Sequence, residues 1–551
     1  MIKPDFILSR RCRPYCLCLC LFLASPLIPM IPLQGCDNSQ SPASGLTVSI
    51  ESIDMSNGTV AGRVMYLSSS GKEEPLLAGT LDASFNDNGL LYRRLSQVKQ
   101  PVAISMAIQP GGRILVAGVA VDPALDRTVG VVFAVTPEGV PDPLFNNGLP
   151  VLVSFEGHDA AATDIAVLED GRIIVLGNVD QEQVFLRRYS EDGDQELEKF
   201  IYAQDSALTA GSLVVQEDQR IVVYMNKETL NNGQLTYRMA GNRFNADLEF
   251  DQGFYSELEF PSAEPKLTDV ALQPDGKFVA TGYNMKAPGY GYLNVRFLKS
   301  GGPDTTYDIG IFSDALKPER KLAGKALALQ ADGKIVIVGE IFVEDEWKAM
   351  LIARQLAGGN IDLPFGVPPG EPGGLGAVAY SLDGGPYYEK GGTFGAGVAI
   401  QENQKILALG QGRDTESERS AMFVMRLDND GIMDSFFGEP WHFGARYLII
   451  RDQSMDIEAA CILLASDHAA LVTGTAIDPE THESCFLIGK FHTRGLQRLT
   501  VQNNYGKSVD ADVHPDGAWT ATLDSILPGT VTALAVHDNG ERTQVICATP
   551  N

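Results

Sequence analysis

Along most of the chain, short apolar runs alternate with turn residues, and the 3.6-residue rhythm of an amphipathic helix is missing. One pattern returns repeatedly. It reads AIQPGGRILVAG at 107–118, AVLEDGRIIVLG at 166–177, ALQPDGKFVATG at 271–282 and ALQADGKIVIVG at 328–339, with weaker copies at 214–225, 399–410 and 463–474. Each copy is two β-rich arms around an Asp-Gly turn or a variant of it. Asp-Gly suits the positive φ of tight turns, so each copy predicts a hairpin. The arms show little polar alternation, which predicts strands covered on both faces. Aligned on Gly112, Gly171, Gln219, Gly276, Gly333 and Gln404, the copies are 59, 48, 57, 57 and 71 residues apart.

A second pattern, Gly-x-x-Asp-x-x-aromatic, closes most copies. It places Asp82, Asp142, Asp304, Asp362 and Asp434 before Phe85, Phe145, Tyr307, Phe365 and Phe437. A third strand precedes it, and Arg188, Arg296, Arg354, Arg426 and Lys490 recur at one position near the end of that strand. A fourth short strand follows, as at 90–92 and 151–155. Four strands per unit of about 57 residues, seven times over residues 79–497, predict an all-β chain folded as a seven-bladed β-propeller. A blade cannot bury both faces alone, so the ring must close.

The run QPDGKFVATG … VRFLKSGGPDTTYDIG resembles the delta-60 repeat of bacterial secreted and envelope proteins. The resemblance covers about three quarters of the chain and implies a propeller-like fold but no reaction. The third repeat departs from it, with Gln219 in the turn and no Gly-x-x-Asp-x-x-aromatic match. The seventh has Asp467-His468 in place of Asp-Gly. Residues 498–551 break the pattern and read as a small β-sandwich-like module, similar to bacterial Ig-like or transthyretin-like modules. The N-terminal hairpin segment, 46–78, supplies 46–67 as a candidate to complete it. The alternative is an eighth blade, with the ring closed by the two chain ends.

The N-terminus carries Lys3, Arg10, Arg11 and Arg13, then an apolar run broken by Pro26, Pro29 and Pro32. This order describes an export signal rather than a membrane-spanning helix. The ending Leu33-Gln34-Gly35-Cys36 resembles the bacterial lipobox. That resemblance implies cleavage after residue 35 and acylation of Cys36 as the lipid anchor, with 36–45 as a polar linker. A plain signal peptide and an uncleaved anchor are the alternatives. The expected location is therefore a membrane-anchored cell-envelope lipoprotein, with the outer membrane or surface favoured and the periplasmic face also open. Asp and Glu outnumber Lys and Arg 70 to 43, for a net charge of −27. Nucleic acid is excluded as a main partner, because phosphate binding needs clustered bases.

Candidate chemistry is sparse. Cys461 and Cys485 could form a disulfide or remain two buried thiols. Asp428, Asp430 and Asp434 follow the later part of a calcium loop, but Arg426 stands at its first ligand position. The recurring aspartates read more simply as turn caps or partners of the recurring bases. Gln109, Gln216, Gln273, Gln330 and Gln401 read as ties between strand and turn. The insertion 366–392 carries Tyr380, Tyr387 and Tyr388 as a candidate contact loop. No nucleophile-elbow, zinc-protease or phosphate-loop motif is present. The expectation is a non-enzymatic, lipid-anchored binding or scaffolding protein that presents an acidic propeller to a protein or glycan, without a cofactor unless calcium binds. The alternatives are a propeller-type polysaccharide hydrolase or lyase, which needs paired carboxylates outside the repeat, and a structural envelope protein.

Overall fold

The computed structural model describes residues 36–37, 45–54, 59–67, 73–75, 78–231, 233–260, 263–284, 291–307, 310–312, 320–343, 347–368, 376–380, 382, 392–434, 437–440, 445–466, 469–493, 496–513, 518–523, 530–537 and 542–548. Among them the one helical segment is the single 3-10 turn Phe145–Gly148; the regular structure is otherwise β. The expected export signal at 1–35, Tyr387 and Tyr388 lie outside the described residues.

Seven antiparallel sheets follow one another along the chain. Their first strands are Lys99–Ile108, Ala160–Val167, Ser206–Val215, Pro265–Leu272, Arg320–Leu329, Phe394–Ile400 and Asp456–Ser466, and we number the blades 1 to 7 in that order. Each first strand packs on the next, and the seventh packs back on the first. The chain is thus a β-propeller whose inner strands form a closed ring. Blade 7 has three strands of its own. Its fourth is Leu90–Arg93, which pairs antiparallel with residues 486–489. The Asp82 turn belongs to the same blade and is bonded to Lys490 at 3.1 Å. The unit that looks like the first repeat is therefore split, and its tail fastens the last blade.

The apolar character of both strand faces is explained by the seams between blades. Leu91, Val116, Phe133, Phe486 and Ile488 form one such cluster, with Phe133 and Phe486 rings 4.8 Å apart. At the end of the ring that carries the Asp-Gly turns, polar groups cross the same seams. Gln109 donates to the carbonyls of Gly171 and Glu191 on the next blade, at 2.6 and 3.0 Å. Arg354 pairs with Asp362 at 2.8 Å, lies 4.5 Å over the Phe365 ring, and donates across the seam to the Asn429 carbonyl. Arg296 and Asp304 repeat this arrangement, with a bond to the Ala357 carbonyl. The irregular third repeat keeps it too. Leu248 takes the glycine position with φ +58°, and Asp251 pairs with Arg243. Burial alone would raise the Asp82, Asp142 and Asp304 carboxyls. Bonds from Ser84, the Leu144 N–H and Thr306, with Lys490, Arg113 and Lys277 alongside, hold them below the usual range.

The two chain ends do not make an eighth blade. Gly45–Asp54 and Thr59–Leu67 join Ala518–Thr522 in one sheet, and Leu496–Asn503, Thr530–His537 and Arg542–Ala548 form another. The two share a core of Val48, Ile50, Val60, Val501, Trp519 and Val531. The expected linker begins as the short strand Cys36–Asp37, which pairs with Arg542–Ala548. Replacing Leu91 with aspartate puts an unpaired charge into the closing seam. Leu91→Asp is expected to cost at least about 3 kcal/mol in urea unfolding; an unchanged midpoint would contradict ring closure by this strand.

Candidate functional site

The inner strand of every blade slips register against its neighbour at one matched position, and those of blades 1 and 7 slip a second time elsewhere. The matched slips lie between Ala103 and Ser105, Ala162 and Asp164, Ala210 and Ser212, Leu267 and Asp269, Gly324 and Ala326, Gly395 and Gly397, and Ala459 and Cys461. Such a bulge re-aims the side chains beside it. In six blades a glycine ends the repeated sequence pattern opposite the bulge, where there is little room for a side chain; the third blade bulges with Met225 at that place. A Cβ on Gly177 would lie 2.0 Å from the Ala161 carbonyl oxygen, and one on Gly339 would lie 1.8 Å from that of Ala323. The residue after each bulge occupies one matched level around the axis. At that level stand Ser105, Asp164, Ser212, Asp269, Ala326, Gly397 and Cys461. The repeat gives every blade the same position, yet only blades 2 and 4 put a carboxylate there.

These two carboxylates are brought together. Asp164 accepts bonds from the Ser105 hydroxyl at 2.8 Å, the Ser212 hydroxyl at 3.1 Å, and the N–H groups of Ile165 and Leu213, both at 2.9 Å. Asp269 accepts from the N–H groups of Val270 and Leu327, at 2.8 and 2.9 Å. The Ser212 oxygen also lies 3.4 Å from Asp269, so one hydroxyl spans the pair. No basic side chain pairs with either aspartate among the described residues. Both sit deep in the ring and keep partial contact with water along the channel. Burial pushes both carboxyls up, against the pull of their donors; for Asp269 the charge of Asp164 adds to the rise, and it reaches about 7. Burial also pushes the Cys461 thiol up to about 12, which keeps it protonated and unreactive at neutral pH.

Above this waist, at the end of the ring opposite the Asp-Gly turns, a cleft of about 590 Å³ opens over blades 1 to 4. Thr128, Asp159, Ala160, Ala161, Asn178, Asp180, Gln181, Thr209 and Lys266 line it. Asp180 holds His158 at 2.5 Å, and Lys266 is bonded to Glu228 at 2.6 Å.

The residues singled out in the sequence fall elsewhere, Cys461 excepted. Cys461 and Cys485 are both free thiols. Of the two readings open in the sequence, the structure holds the thiols and not the disulfide, because Ala469–Ile477 lies between their strands and they join different seams. Asp434 is held by Arg426 and Lys405, each at 2.8 Å, while Asp428 caps its own turn through the N–H groups of Asp430 and Ile432. Among the described residues no three Asp, Glu, His or Cys side chains gather as a metal site. Tyr380 ends an outer strand and packs into the seam between blades 5 and 6, so it is packing rather than exposed contact surface. Cys36 stands opposite Cys547 in register.

No protein-family model and no curated protein matches the chain. Solved structures do. A protein of unknown function from Dyadobacter fermentans matches at 10% identity and TM-score 0.37, over 73% of this chain and 99% of that one. A polysaccharide lyase, an ulvan lyase, matches at 10% and 0.41, over 72% and 95%. An α-L-arabinofuranosidase from Fusarium graminearum matches at 10% and 0.36, over 73% and 96%. The expectation of a non-enzymatic binding or scaffolding protein is corrected here. Glycan-cleaving enzymes stand among these matches. The Asp164–Asp269 pair at the waist departs from the residues its matched positions carry in the other blades and goes unrecognised in the sequence.

Asp164 and Asp269 were hidden because each stands two residues before the aligned pattern begins, at Ala166 and Ala271. Extending the alignment by two positions shows Ser, Asp, Ser, Asp, Ala, Gly and Cys at one column. Asp269 is raised above its unfolded value of 3.8. Its contribution to stability is therefore fully present below about pH 4 and is lost as pH rises through about 7. Thermal melting of wild type and Asp269→Asn across that window is expected to show this dependence weakened in the variant; parallel curves would contradict it.

Proposed function

We propose that the protein is a polysaccharide hydrolase whose acid–base pair is Asp164 and Asp269 at the channel waist. The observation that carries this reading is the pairing of two carboxylates at a level where the repeat elsewhere places neutral residues. They are inequivalent. Asp164 has four donors, Asp269 has two N–H donors and a longer hydroxyl contact, and their charges repel. When the pair holds one proton, that proton belongs on Asp269. Asp269 is then the general acid toward the leaving oxygen, and Asp164 the base or nucleophile. Elimination from a uronate is the weaker reading, since it needs a cation to offset the sugar carboxylate and neither aspartate has a basic partner. We also propose, from the lipobox-like ending, that Cys36 anchors the chain in the cell envelope as a lipoprotein with delta-60-type repeats. Among the described residues no helix is long and apolar enough to cross a membrane.

Release of reducing ends from a panel of polysaccharides tests the assignment. Asp269→Asn is expected to lower kcat/KM at least about a hundredfold. Wild-type activity should fall as pH rises through about 7, where the acid loses its proton. Full turnover by Asp269→Asn would refute the role.

A further inference from the structure

We infer that the cleft over blades 1 to 4 is a saccharide subsite that takes the end of a neutral glycan chain; this rests on the reading of the waist pair as the reacting groups. Three neighbouring inner strands carry both sites. Ala161, Thr209 and Lys266 line the cleft, and each stands three residues before Asp164, Ser212 and Asp269 respectively. At the rise of a strand the two levels are about 10 Å apart along one channel. The cleft therefore lies one level above the waist on the same three strands.

Its free groups suit sugar hydroxyls. The Asn178 carbonyl oxygen is taken by the Ala210 N–H at 2.7 Å, which leaves its NH2 to donate. Thr128 engages Asp159 only through its N–H, so its hydroxyl remains available, as do the second Asp159 oxygen, the Thr209 hydroxyl and the Gln181 amide. Donors and acceptors thus stand side by side, as adjacent hydroxyls on a sugar require. The charge selects against anionic glycans. Asp159 and Asp180 are carboxylates, and the one cation in the lining, Lys266, is already bonded to Glu228. A uronate or sulfate entering here meets repulsion. Below the cleft, Ser105, Asp164, Ser212 and Asp269 are linked in series across four blades, a row of bonded side chains in the path beyond it. A chain consequently enters by its end.

The test uses the full chain in detergent carrying Asp269→Asn, which holds substrate without turning it over. Calorimetry is run with arabino-, xylo- and gluco-oligosaccharides and with oligogalacturonate. A neutral oligosaccharide is expected to bind at least tenfold more tightly than the uronate. Adding Thr209→Val with Gln181→Gly should weaken neutral binding about tenfold at an unchanged melting temperature. Glycine is suited to position 181, where φ is +56°. Equal affinity in that variant, uronate binding as tight as neutral, or no neutral binding would overturn the subsite. Those results leave the hydrolase reading standing if wild-type turnover still requires Asp269. Turnover surviving Asp269→Asn removes the hydrolase reading, and the subsite that rests on it falls as well.

Discussion

A propeller blade with two apolar faces is stable only between two neighbours, so everything in this protein depends on the ring being closed. Closure falls to a four-residue strand, Leu90–Arg93, completing a sheet whose other strands lie about 370 residues further along the chain. Lys490 and Asp82 add an ion pair across the same join, and Leu81 bridges Phe491. One consequence reaches beyond the ring. Bringing residues 78–93 beside residues 486–492 sets the start and end of the chain side by side. A sandwich assembled from 45–67 and 496–548 follows naturally, and neither segment alone could bury Trp519.

The ring carries its polar groups at two levels with opposite electrostatics. At the Asp-Gly end, aspartates paired with Arg or Lys recur from blade to blade, and Asp82, Asp142, Asp251 and Asp304 are held below the usual carboxylate range. At the waist, Asp164 and Asp269 lack basic partners and are pushed toward the neutral form. The first arrangement is structural and periodic, because every seam needs it. The second breaks the period, and chemistry needed once per molecule can reside only where equivalent blades differ. A bulge repeated in all seven blades puts one residue of each on a common level and so turns small sequence differences into one site.

Much of the fold was legible because hairpins with Asp-Gly turns repeat their spacing. The recurring Asp and Arg positions also declared their pairing, but the Arg243–Asp251 pair was hidden because Leu248 replaces the glycine that marks the motif. The phase of the blades was not legible, since strand 90–93 reads as the end of the first unit and pairing it with the last is a long-range event. The sequence leaves Cys461 and Cys485 open between a disulfide and two thiols for a related reason: spacing does not show that Ala469–Ile477 lies between their strands. The waist was missed because Asp164 and Asp269 precede the aligned pattern, and because their convergence depends on a curvature that spacing does not encode.

The central claim is that the waist pair cleaves glycosidic bonds with water. Product analysis in 18O-labelled water tests it most directly, by mass and proton NMR spectra of sugars released by the full chain. The account predicts saturated products with the label at the new anomeric hydroxyl, absent with Asp164→Asn. Unsaturated, unlabelled ends would show elimination instead, and no product from any glycan would contradict a hydrolytic waist altogether.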